Sequence, residues 1–343
     1  MVQLSANQEP LVLSRDTRKY NGIDLMKFLC AIMVYTVHFP PFQGEVTGIY
    51  QYINFGLRQY ICRLAVPFYF ISSGFFLFKK MPLYQPDKNM IKTYCFKLLR
   101  LFGTWSLLLV LGGKDHLWYL GATVIAVILL NLLLHLHIKL KYLYTIGLAF
   151  YAVGLLGDSY YGMIAPLKDI PFFAFLFKGY AFFFSTTRNG VFMGFIYVLM
   201  GATFANYHFK IKPGAAFVGL TVSMLFLFAE VFLLKYNNIP RGYNMYVFLL
   251  PATFFLFQFA YSLDLKDHPV YRHLRNIGIF VYFSHSMMDQ ITWAGVCIIY
   301  KYWDSPLYHY QYLIALTAAL FAGILADIFS HKHKFHWIHY LFS

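Results

Sequence analysis

Residues 22–42 read GIDLMKFLCAIMVYTVHFPPF, an apolar stretch that carries ionisable side chains near both of its ends. A helix needs about 20 apolar residues to cross a bilayer, and Pro40 and Pro41 end this one because proline disrupts a helix interior. Lys27 and His38 are separated by about 16 Å along such a helix, at 1.5 Å per residue. Ionisable groups are costly inside hydrocarbon, so both side chains are candidates for a functional site.

The composition of the whole chain indicates a membrane protein. Of its 343 residues, 59% are hydrophobic and 12% are charged, whereas soluble domains carry about 25% charged residues. We therefore predict an all-α fold, a polytopic membrane bundle of about ten transmembrane helices. The predicted spans lie near residues 22–42, 61–78, 92–111, 116–137, 140–157, 190–206, 213–234, 245–263, 276–300 and 310–330.

Short loops connect these spans, so the predicted membrane domain covers residues 22–330. Residues 1–21 and 331–343 are expected to be a cytoplasmic N-terminal segment and a cytoplasmic C-terminal tail. This orientation follows from the basic residues, since 18 Lys and Arg fall on the side of both termini and 9 on the other, and basic loops stay in the cytoplasm. The aromatic region 159–189 is predicted to be a loop that holds one surface-lying or re-entrant helix.

The formal charge of +14 predicts contacts with anionic lipids rather than with nucleic acid. Its cations lie mainly in short loops, and no basic stripe interleaved with aromatic residues is present. The four cysteines have no metal-ligand spacing. We therefore expect them to be small buried hydrophobic residues that form no metal site. They are Cys30, Cys62, Cys95 and Cys297.

Two further segments could bind a ligand. Arg63 lies at the outer end of the second predicted span, and Ser72, Ser73 and Gly74 form a small polar notch in it. Such a notch serves either for close helix packing or as a gap for a thin ligand chain. Lys97 and Arg100 share one face at the cytoplasmic start of the third span. That face either contacts lipid headgroups or holds the phosphates of a cofactor.

Several other ionisable side chains inside or beside predicted spans are candidates for a site. His116 opens the fourth span at the outer face, and Glu230 is a lone carboxylate in the seventh, where it needs a partner or a water-filled cavity. His285 and Asp289 are four residues apart and could face each other, either to orient the imidazole or as a structural pair. His38 is either a hydrogen-bonded structural residue or a general base for a hydroxyl group.

Taken together, the order and spacing of several motifs resemble the acyltransferase family 3 of integral-membrane O-acyltransferases. The segment RNGVFMG at residues 188–194 also resembles the branch near the membrane half of vancomycin-resistance serine racemases. The other matching segments are IDL at 23–25 followed by Lys27 and His38, AVPFYF at 65–70 followed by Ser73 and Gly74, HLWYL at 116–120, and VYFSH at 281–285.

This resemblance implies about ten spans and transfer of an acyl group from cytoplasmic acyl-CoA, with acetyl-CoA as the expected donor, to a hydroxyl group. The implied acceptors are surface polysaccharide, peptidoglycan or lipid, and the implied location is the plasma membrane. His38 would be the catalytic residue, as general base or as acyl carrier. Lys27 and Lys97 stand where the family has Arg, which keeps the charge and loses the planar fork. The residues implied to bind the donor are Lys27, Ser73, Gly74, Lys97 and Arg100, and those implied to position the acceptor are Arg63, His116, Glu230 and His285.

Two alternatives belong to other classes of protein. Buried His, Glu and Asp side chains in a multi-span chain are also typical of a transporter for an amino acid or a lipid-linked sugar. The resemblance to the racemases supports this alternative, because their membrane halves are thought to import serine. A partner subunit without catalysis, such as an assembly factor for surface polymers, is the other alternative.

Overall fold

The computed structural model describes residues 20–42, 47–109, 117–184, 186–303 and 310–330. The segments 1–19 and 331–343, which hold most of the predicted N-terminal segment and the C-terminal tail, lie outside the described residues. The helices are α1 (Asn21–His38), α2 (Ile49–Gln59), α3 (Ala65–Phe78), α4 (Lys88–Leu108), α5 (Trp118–His135), α6 (Leu140–Gly157), α7 (Tyr161–Ile164), α8 (Pro171–Phe183), α9 (Phe195–Tyr207), α10 (Pro213–Tyr236), α11 (Leu249–Ser262), α12 (Val270–Trp303) and α13 (Gln311–Ser330).

The predicted all-α fold is confirmed, since the part of the chain that the structure describes contains helices and no strand. Each predicted span overlaps one of these helices, and the number of ten crossings stays a prediction. Within the described ranges, six helical segments are long and apolar enough to cross a membrane, which makes the chain a multi-pass membrane protein. They are Ile49–Phe78, Trp118–His135, Leu140–Gly157, Gly190–Tyr207, Pro213–Tyr236 and Gln311–Ser330.

The structure differs from the sequence-based prediction at two helices. Helix α2 precedes the second predicted span, and a short 3₁₀ segment (Ile61–Leu64) joins it to α3. Polar residues such as Gln51 and Asn54 lower the hydropathy of α2, so the apolar pattern misses it. Helix α12 is 34 residues long and begins before the predicted span. The predicted helix of region 159–189 is α8, whose Phe172 and Phe175 are exposed.

Side-chain caps define where two of the helices begin. The Asp87 carboxylate accepts hydrogen bonds from the backbone N–H groups of Asn89 and Met90 at 2.8 and 3.3 Å, at the start of α4. Asn189 Oδ1 accepts from the N–H groups of Val191 and Phe192 at 2.9 and 3.0 Å, which starts the π-helical turn Gly190–Gly194 before α9. Each cap satisfies donors that the helix itself leaves unpaired.

Helix α1 lies inside the bundle, in contact with α3, α11 and α12. Its buried side chains include Ile23, Cys30, Val34 and Tyr35. Helices α6, α10 and α13 are peripheral. Only 22% to 28% of the most apolar segment of each helix is buried inside the protein. Their exposed apolar residues, such as Leu225 and Phe226 on α10, present the surface that lipid would cover.

The backbones of helices α3 and α9 lie close together at two glycines. A Cβ atom added to Gly74 of α3 would overlap the carbonyl oxygen of Val198, and one added to Gly201 of α9 would overlap that of Ile71. Small residues let transmembrane helices approach in this way, so that van der Waals contacts hold them together. The sequence left two functions open for the notch, close helix packing or a gap for a ligand chain. Gly74 serves close helix packing.

Two buried carboxylates hold the loops at the end of the bundle that carries residues 158–164 and 239–248. Asp158 accepts from the N–H groups of Asn244 and Met245 at 2.6 and 2.9 Å. Glu230 accepts from the N–H groups of Val247 and Phe248 at 2.7 and 2.9 Å, immediately before α11. The Glu230 bonds satisfy backbone donors at a helix start, where a negative charge is also favoured, and the Asp158 bonds satisfy donors of the preceding loop.

Tyr160 supplies a further partner for Glu230. Its hydroxyl donates to Glu230 Oε1 at 2.6 Å. Burial raises the pKa of the Tyr160 phenol, and the neighbouring Glu230 carboxylate raises it further, so the hydroxyl stays protonated and donates. The sequence predicts that Glu230 needs a partner or a water-filled cavity. The Tyr160 hydroxyl is such a partner, and its contact with Glu230 holds the fold together.

Replacing Gly201 by Ala should destabilise the bundle by about 1–3 kcal/mol, because the added methyl group overpacks the contact with α3. Thermal unfolding of the purified protein in detergent measures the effect. Gly121→Ala on α5 is the matched control, since a Cβ atom at Gly121 meets nothing within 4 Å. Equal melting temperatures for the two variants would contradict the close α3–α9 contact.

Replacing Glu230 by Ala should lower the stability by about 1–3 kcal/mol, because two backbone N–H groups and the Tyr160 hydroxyl lose their acceptor in a buried place. Glu230→Gln should recover part of this loss, since an amide oxygen still accepts. The exposed Asp264 provides the control as Asp264→Ala. An unchanged unfolding curve for Glu230→Ala would show that the capping bonds do not form.

Candidate functional site

A cavity of about 760 Å³ lies among α1, α3, α4, α5 and α12. It reaches the surface at residues 267–269, which are exposed. By the orientation predicted from the basic loops, this end of the bundle faces the cytoplasm. We call it the inner cavity. Its volume lies within the roughly 300–1,000 Å³ that is typical of small-molecule sites.

The charge around the inner cavity favours an anionic ligand. Its lining contains five Lys and Arg side chains and two carboxylates. Of the carboxylates, Asp24 is paired with Arg275 at 3.6 Å between Oδ2 and Nη1. The five cations are Lys27, Lys79, Lys97, Arg272 and Arg275.

Aromatic rings position two of these cations. The Lys27 ammonium lies over the Phe76 ring, 4.1 Å from its centroid, and the Lys79 ammonium lies over the Tyr20 ring at 4.3 Å. Cation–π contacts hold the charge without neutralising it. Both positive charges therefore lie at the lining of the inner cavity.

Hydroxyl groups of α3 and its neighbours form the deep end of the inner cavity. Ser73 Oγ and the Tyr119 hydroxyl are hydrogen-bonded at 2.8 Å, and the Tyr69 hydroxyl donates to the Lys27 carbonyl at 2.7 Å. Ser72 also lines the cavity, and its buried Oγ has no hydrogen-bond partner among the described residues. A buried unpaired hydroxyl is rare enough to indicate a place where a ligand can bind.

The sequence-predicted donor-binding residues divide into two groups. Lys27, Ser73 and Lys97 line the inner cavity, whereas Gly74 and Arg100 do not. Gly74 lies on the opposite face of α3, against α9. Arg100 is exposed on α4, one turn beyond Lys97.

A second, much smaller cavity of about 40 Å³ contains His38. We call it the outer chamber, because the predicted orientation places it toward the outer face. Arg63, Arg188, Asn244 and Trp118 also line it, together with apolar residues of α1 and α3. Arg63 Nη1 donates to Asn244 Oδ1 at 2.8 Å. The predicted catalytic and acceptor-positioning residues His38 and Arg63 therefore meet in one place.

His285 lies against His38, with ring centroids 5.1 Å apart. Its Nδ1 is 2.7 Å from the Tyr282 carbonyl oxygen. Because a carbonyl oxygen only accepts, Nδ1 carries the proton, and in the neutral ring Nε2 is the basic nitrogen. The predicted pairing of His285 with Asp289 is replaced by this contact, and Asp289 Oδ1 instead accepts from Gln311 Nε2 at 3.3 Å.

Three tyrosine rings close the inner cavity on the side of His38. Tyr69, Tyr119 and Tyr282 lie within 5.6–6.0 Å of one another, centroid to centroid. On α3 the outer chamber is lined by Val66 and the inner cavity by Tyr69. These two residues are three positions apart, which corresponds to about 4.5 Å along the helix axis. The two cavities are thus separate, and the wall between them is one helical turn thick at this helix.

The remaining predicted site residues are placed elsewhere. Glu230 lines neither cavity and is bonded to Tyr160 and to the start of α11. His116 lies outside the described residues. In the described ranges, no group of three or more His, Cys, Asp or Glu side chains could hold a metal ion.

Several lining residues are not among those predicted from the sequence. Lys79, Arg272 and Arg275 follow or precede apolar stretches, where basic residues usually only determine topology. Arg188 precedes the Asn189 cap in the RNGVFMG segment, and Asn244 lies in a loop. The side chains of Arg188 and Asn244 reach His38 only through the packing of α3, α5 and α9. Their spacing along the sequence therefore gives no sign that they belong to the same site.

Residues 20–114 match the acyltransferase domain family. This range includes α1, α3 and α4, and with them both His38 and most cations of the inner cavity. No solved structure matches the chain.

Curated relatives match over a longer range. The chain is 28% identical to a serine/alanine racemase of Enterococcus gallinarum over 300 residues, which is 78% of this chain and 40% of that protein. It is 30% identical to an amino-acid racemase of Enterococcus faecalis over 304 residues, 79% of this chain and 41% of that protein. The chain therefore spans about two fifths of the length of these relatives. The matches confirm the resemblance that the motifs predict: the chain is similar to the acyltransferase 3 family over residues 20–114 and to these racemases over most of its length.

Proposed function

We propose that this protein is a membrane-embedded O-acyltransferase of the plasma membrane, with both termini in the cytoplasm. It transfers an acyl group, acetyl in the simplest case, from cytoplasmic acyl-CoA to a hydroxyl group of a cell-surface glycan, peptidoglycan or lipid. The observation that carries the proposal is the cation-lined inner cavity, which lies one helical turn from the His38 chamber and largely within the range that matches the acyltransferase domain family.

The residues of the inner cavity fit acyl-CoA as the donor. Lys79, Lys97 and Arg272 would hold its phosphates near the exposed mouth, since Lys and Arg are the usual partners of phosphate. Lys27 lies deeper, at the level of Ser72 and Ser73, where a thin pantetheine chain would pass. When bound, acyl-CoA supplies a thioester carbonyl carbon that an oxygen nucleophile can attack.

His38 acts as the general base in this proposal. It takes the proton of the acceptor hydroxyl while the acceptor oxygen bonds to the carbonyl carbon and the carbon–sulfur bond breaks. The proton then passes from the imidazolium to the sulfur, so that a free thiol leaves. His285 supports the position of the His38 ring, because its own ring is fixed by the Tyr282 carbonyl.

The tyrosine layer has to move for this reaction. The Tyr69 hydroxyl is hydrogen-bonded to the Lys27 carbonyl, and the Tyr119 hydroxyl is hydrogen-bonded to Ser73. A donor chain that pairs with Ser73 would release Tyr119. A rotation of the ring would then join the inner cavity to the outer chamber.

Replacing His38 by Ala should lower the rate of acyl transfer by about 10²–10⁴-fold, because the general base is lost. Binding of coenzyme A should remain, since His38 does not line the inner cavity. Membranes containing the variant are incubated with labelled acetyl-CoA, and label in glycan and lipid fractions is counted. His135→Ala, an exposed histidine at the end of α5, is the control. A fully active His38→Ala protein would end this proposal.

Replacing Lys97 or Arg272 by Ala should each raise the KM for acyl-CoA about tenfold and leave kcat nearly unchanged, because a phosphate contact is removed from bound donor and transition state alike. Initial rates against acyl-CoA concentration measure this. Lys92→Ala provides the matched control on the same helix, since Lys92 does not line the cavity. An unchanged KM for both variants would place the donor elsewhere.

A transporter is the second candidate, and the two cavities favour it. They lie on either side of one thin aromatic wall, as a substrate path with alternating access requires. Uptake of labelled serine into vesicles, compared with transfer from labelled acetyl-CoA, separates the two functions. The racemase names belong to relatives of more than twice the aligned length, and racemisation is not part of the proposal.

A further inference from the structure

We propose that the outer chamber binds a carboxylate or phosphate group of the acceptor, with Arg63 and Arg188 as the binding residues. The inference rests on the proposed function, because it takes the chamber as the place where the acceptor hydroxyl meets His38. It names the acceptor class: a molecule that carries a hydroxyl group and, close to it, an anionic group.

Positive charge predominates in the outer chamber. Arg63 and Arg188 both line it, and no carboxylate among the described residues does. Neither guanidinium takes part in an ion pair within the part of the chain that the structure describes. Asp158 offsets part of the Arg63 charge from outside the lining, and the Asn244 side chain, which binds both groups, links the two. Half-buried arginines are expensive in a membrane protein unless a partner compensates them.

Neutral groups hold both guanidiniums in place. Arg63 donates from Nε to Gln59 Oε1 at 3.0 Å and from Nη1 to Asn244 Oδ1 at 2.8 Å, and its Nη2 also contacts Gln59. The Arg188 guanidinium lies over the Trp118 ring, 5.0 Å from its centroid. These contacts fix the orientation of the two guanidinium groups, and because the contacting groups are neutral they do not cancel the positive charge. A preoriented planar fork is the group that carboxylates and phosphates bind best.

The size of the chamber limits what can enter. Its 40 Å³ exceeds the roughly 10–15 Å³ that one water molecule needs, and it is far below the volume of a site for a whole drug-sized ligand, about 300 Å³ or more. It therefore admits a small terminal group and leaves the rest of the acceptor outside. Val34, Val37 and Val66 form its apolar wall, which strengthens an ionic contact inside.

His38 lines the same chamber, so an anion held by the two arginines lies beside the imidazole. A hydroxyl group near that anion is then within reach of the base. Acceptors of this kind are hydroxy acids with a carboxylate and sugars or glycerol units with a phosphate ester. A neutral polysaccharide lacks the group that the arginines would bind.

The test measures anion binding directly, without acyl transfer. Full-length protein in detergent is titrated with potassium acetate, and separately with potassium phosphate, against potassium chloride at equal ionic strength. Thermal unfolding and the fluorescence of the tryptophans, which include Trp118 in the chamber, report binding. The acetate arm represents a carboxylate acceptor and the phosphate arm a phosphate ester.

The wild-type protein should be stabilised by at least one of the two probes beyond the effect of chloride. Arg188→Gln should raise the apparent dissociation constant of that probe about tenfold, and Arg188→Lys should recover part of the binding. Arg241→Gln should bind like the wild type, because Arg241 lies over the Tyr161 ring at 5.2 Å and does not line the chamber. Arg63→Lys, which keeps the charge where Arg63→Gln could disturb the contacts with Gln59 and Asn244, should retain weaker binding.

Two outcomes would overturn the inference: no stabilisation of the wild type by acetate or phosphate beyond that of chloride, or equal losses for Arg188→Gln and Arg241→Gln. The test distinguishes a failure of this inference from a failure of the proposed function, because anion binding is measured without acyl transfer. Anion binding lost in Arg188→Gln, in a protein without acyl transfer, would keep the anion site and refute the transferase. Acyl transfer without anion binding would keep the transferase and refute the site.

Discussion

The burial of helix α1 is the constraint on which the rest of the site depends. This helix carries Lys27 toward one end and His38 at the other, and it lies inside the bundle against α3, α11 and α12. A helix with ionisable groups near both of its ends is stable inside a membrane protein only when each group faces a polar cavity or a partner. The inner cavity and the outer chamber are these places. The bundle therefore has to leave one cavity at each end of α1.

The contacts that hold α1 differ at the two ends. At the inner end, aromatic rings and hydroxyl groups surround Lys27, and the Tyr69 hydroxyl binds its carbonyl at 2.7 Å. At the outer end, Arg58 Nε donates to the Val37 carbonyl at 2.8 Å, which satisfies an acceptor in the last turn before His38. Asp158 fixes Asn244, and Asn244 in turn binds Arg63. The outer chamber is thus built by a chain of hydrogen bonds that begins at a structural carboxylate.

The sequence predicts the helices well and the contacts between them only in part. Apolar runs identify α1, α5 and α10 because hydrocarbon imposes the same length and composition on each of them. Helix α2 is missed, since its polar side chains resemble those of a loop. The spacing of Lys27 and His38 indicates a site because both lie on one helix, and geometry along a single helix is fixed.

Other features of the site depend on packing between distant parts of the chain. The contact between His38 and His285 joins residues 247 positions apart, and nothing in the local pattern of either helix determines it. Glu230 looks like a functional residue in the sequence, yet its partners are the backbone N–H groups of Val247 and Phe248. Side-chain patterns contain no signal for backbone donors. Gly74 likewise contacts a helix whose position the sequence does not give.

The thin wall between the two cavities explains how such a bundle can bring a cytoplasmic donor and an outer acceptor together without a permanent pore. In the proposed function, the donor and acceptor enter from opposite ends, and an open channel between the cavities would conduct water and ions. The rings of Tyr69, Tyr119 and Tyr282 fill the space at one turn of α3, while the hydroxyls of Tyr69 and Tyr119 find partners inside the protein. An apolar ring with a satisfied polar tip can lie in a dry wall at little cost. Because few hydrogen bonds hold these rings, a ligand that offers equivalent partners can displace them, and the wall then opens only where the ligand itself fills the gap.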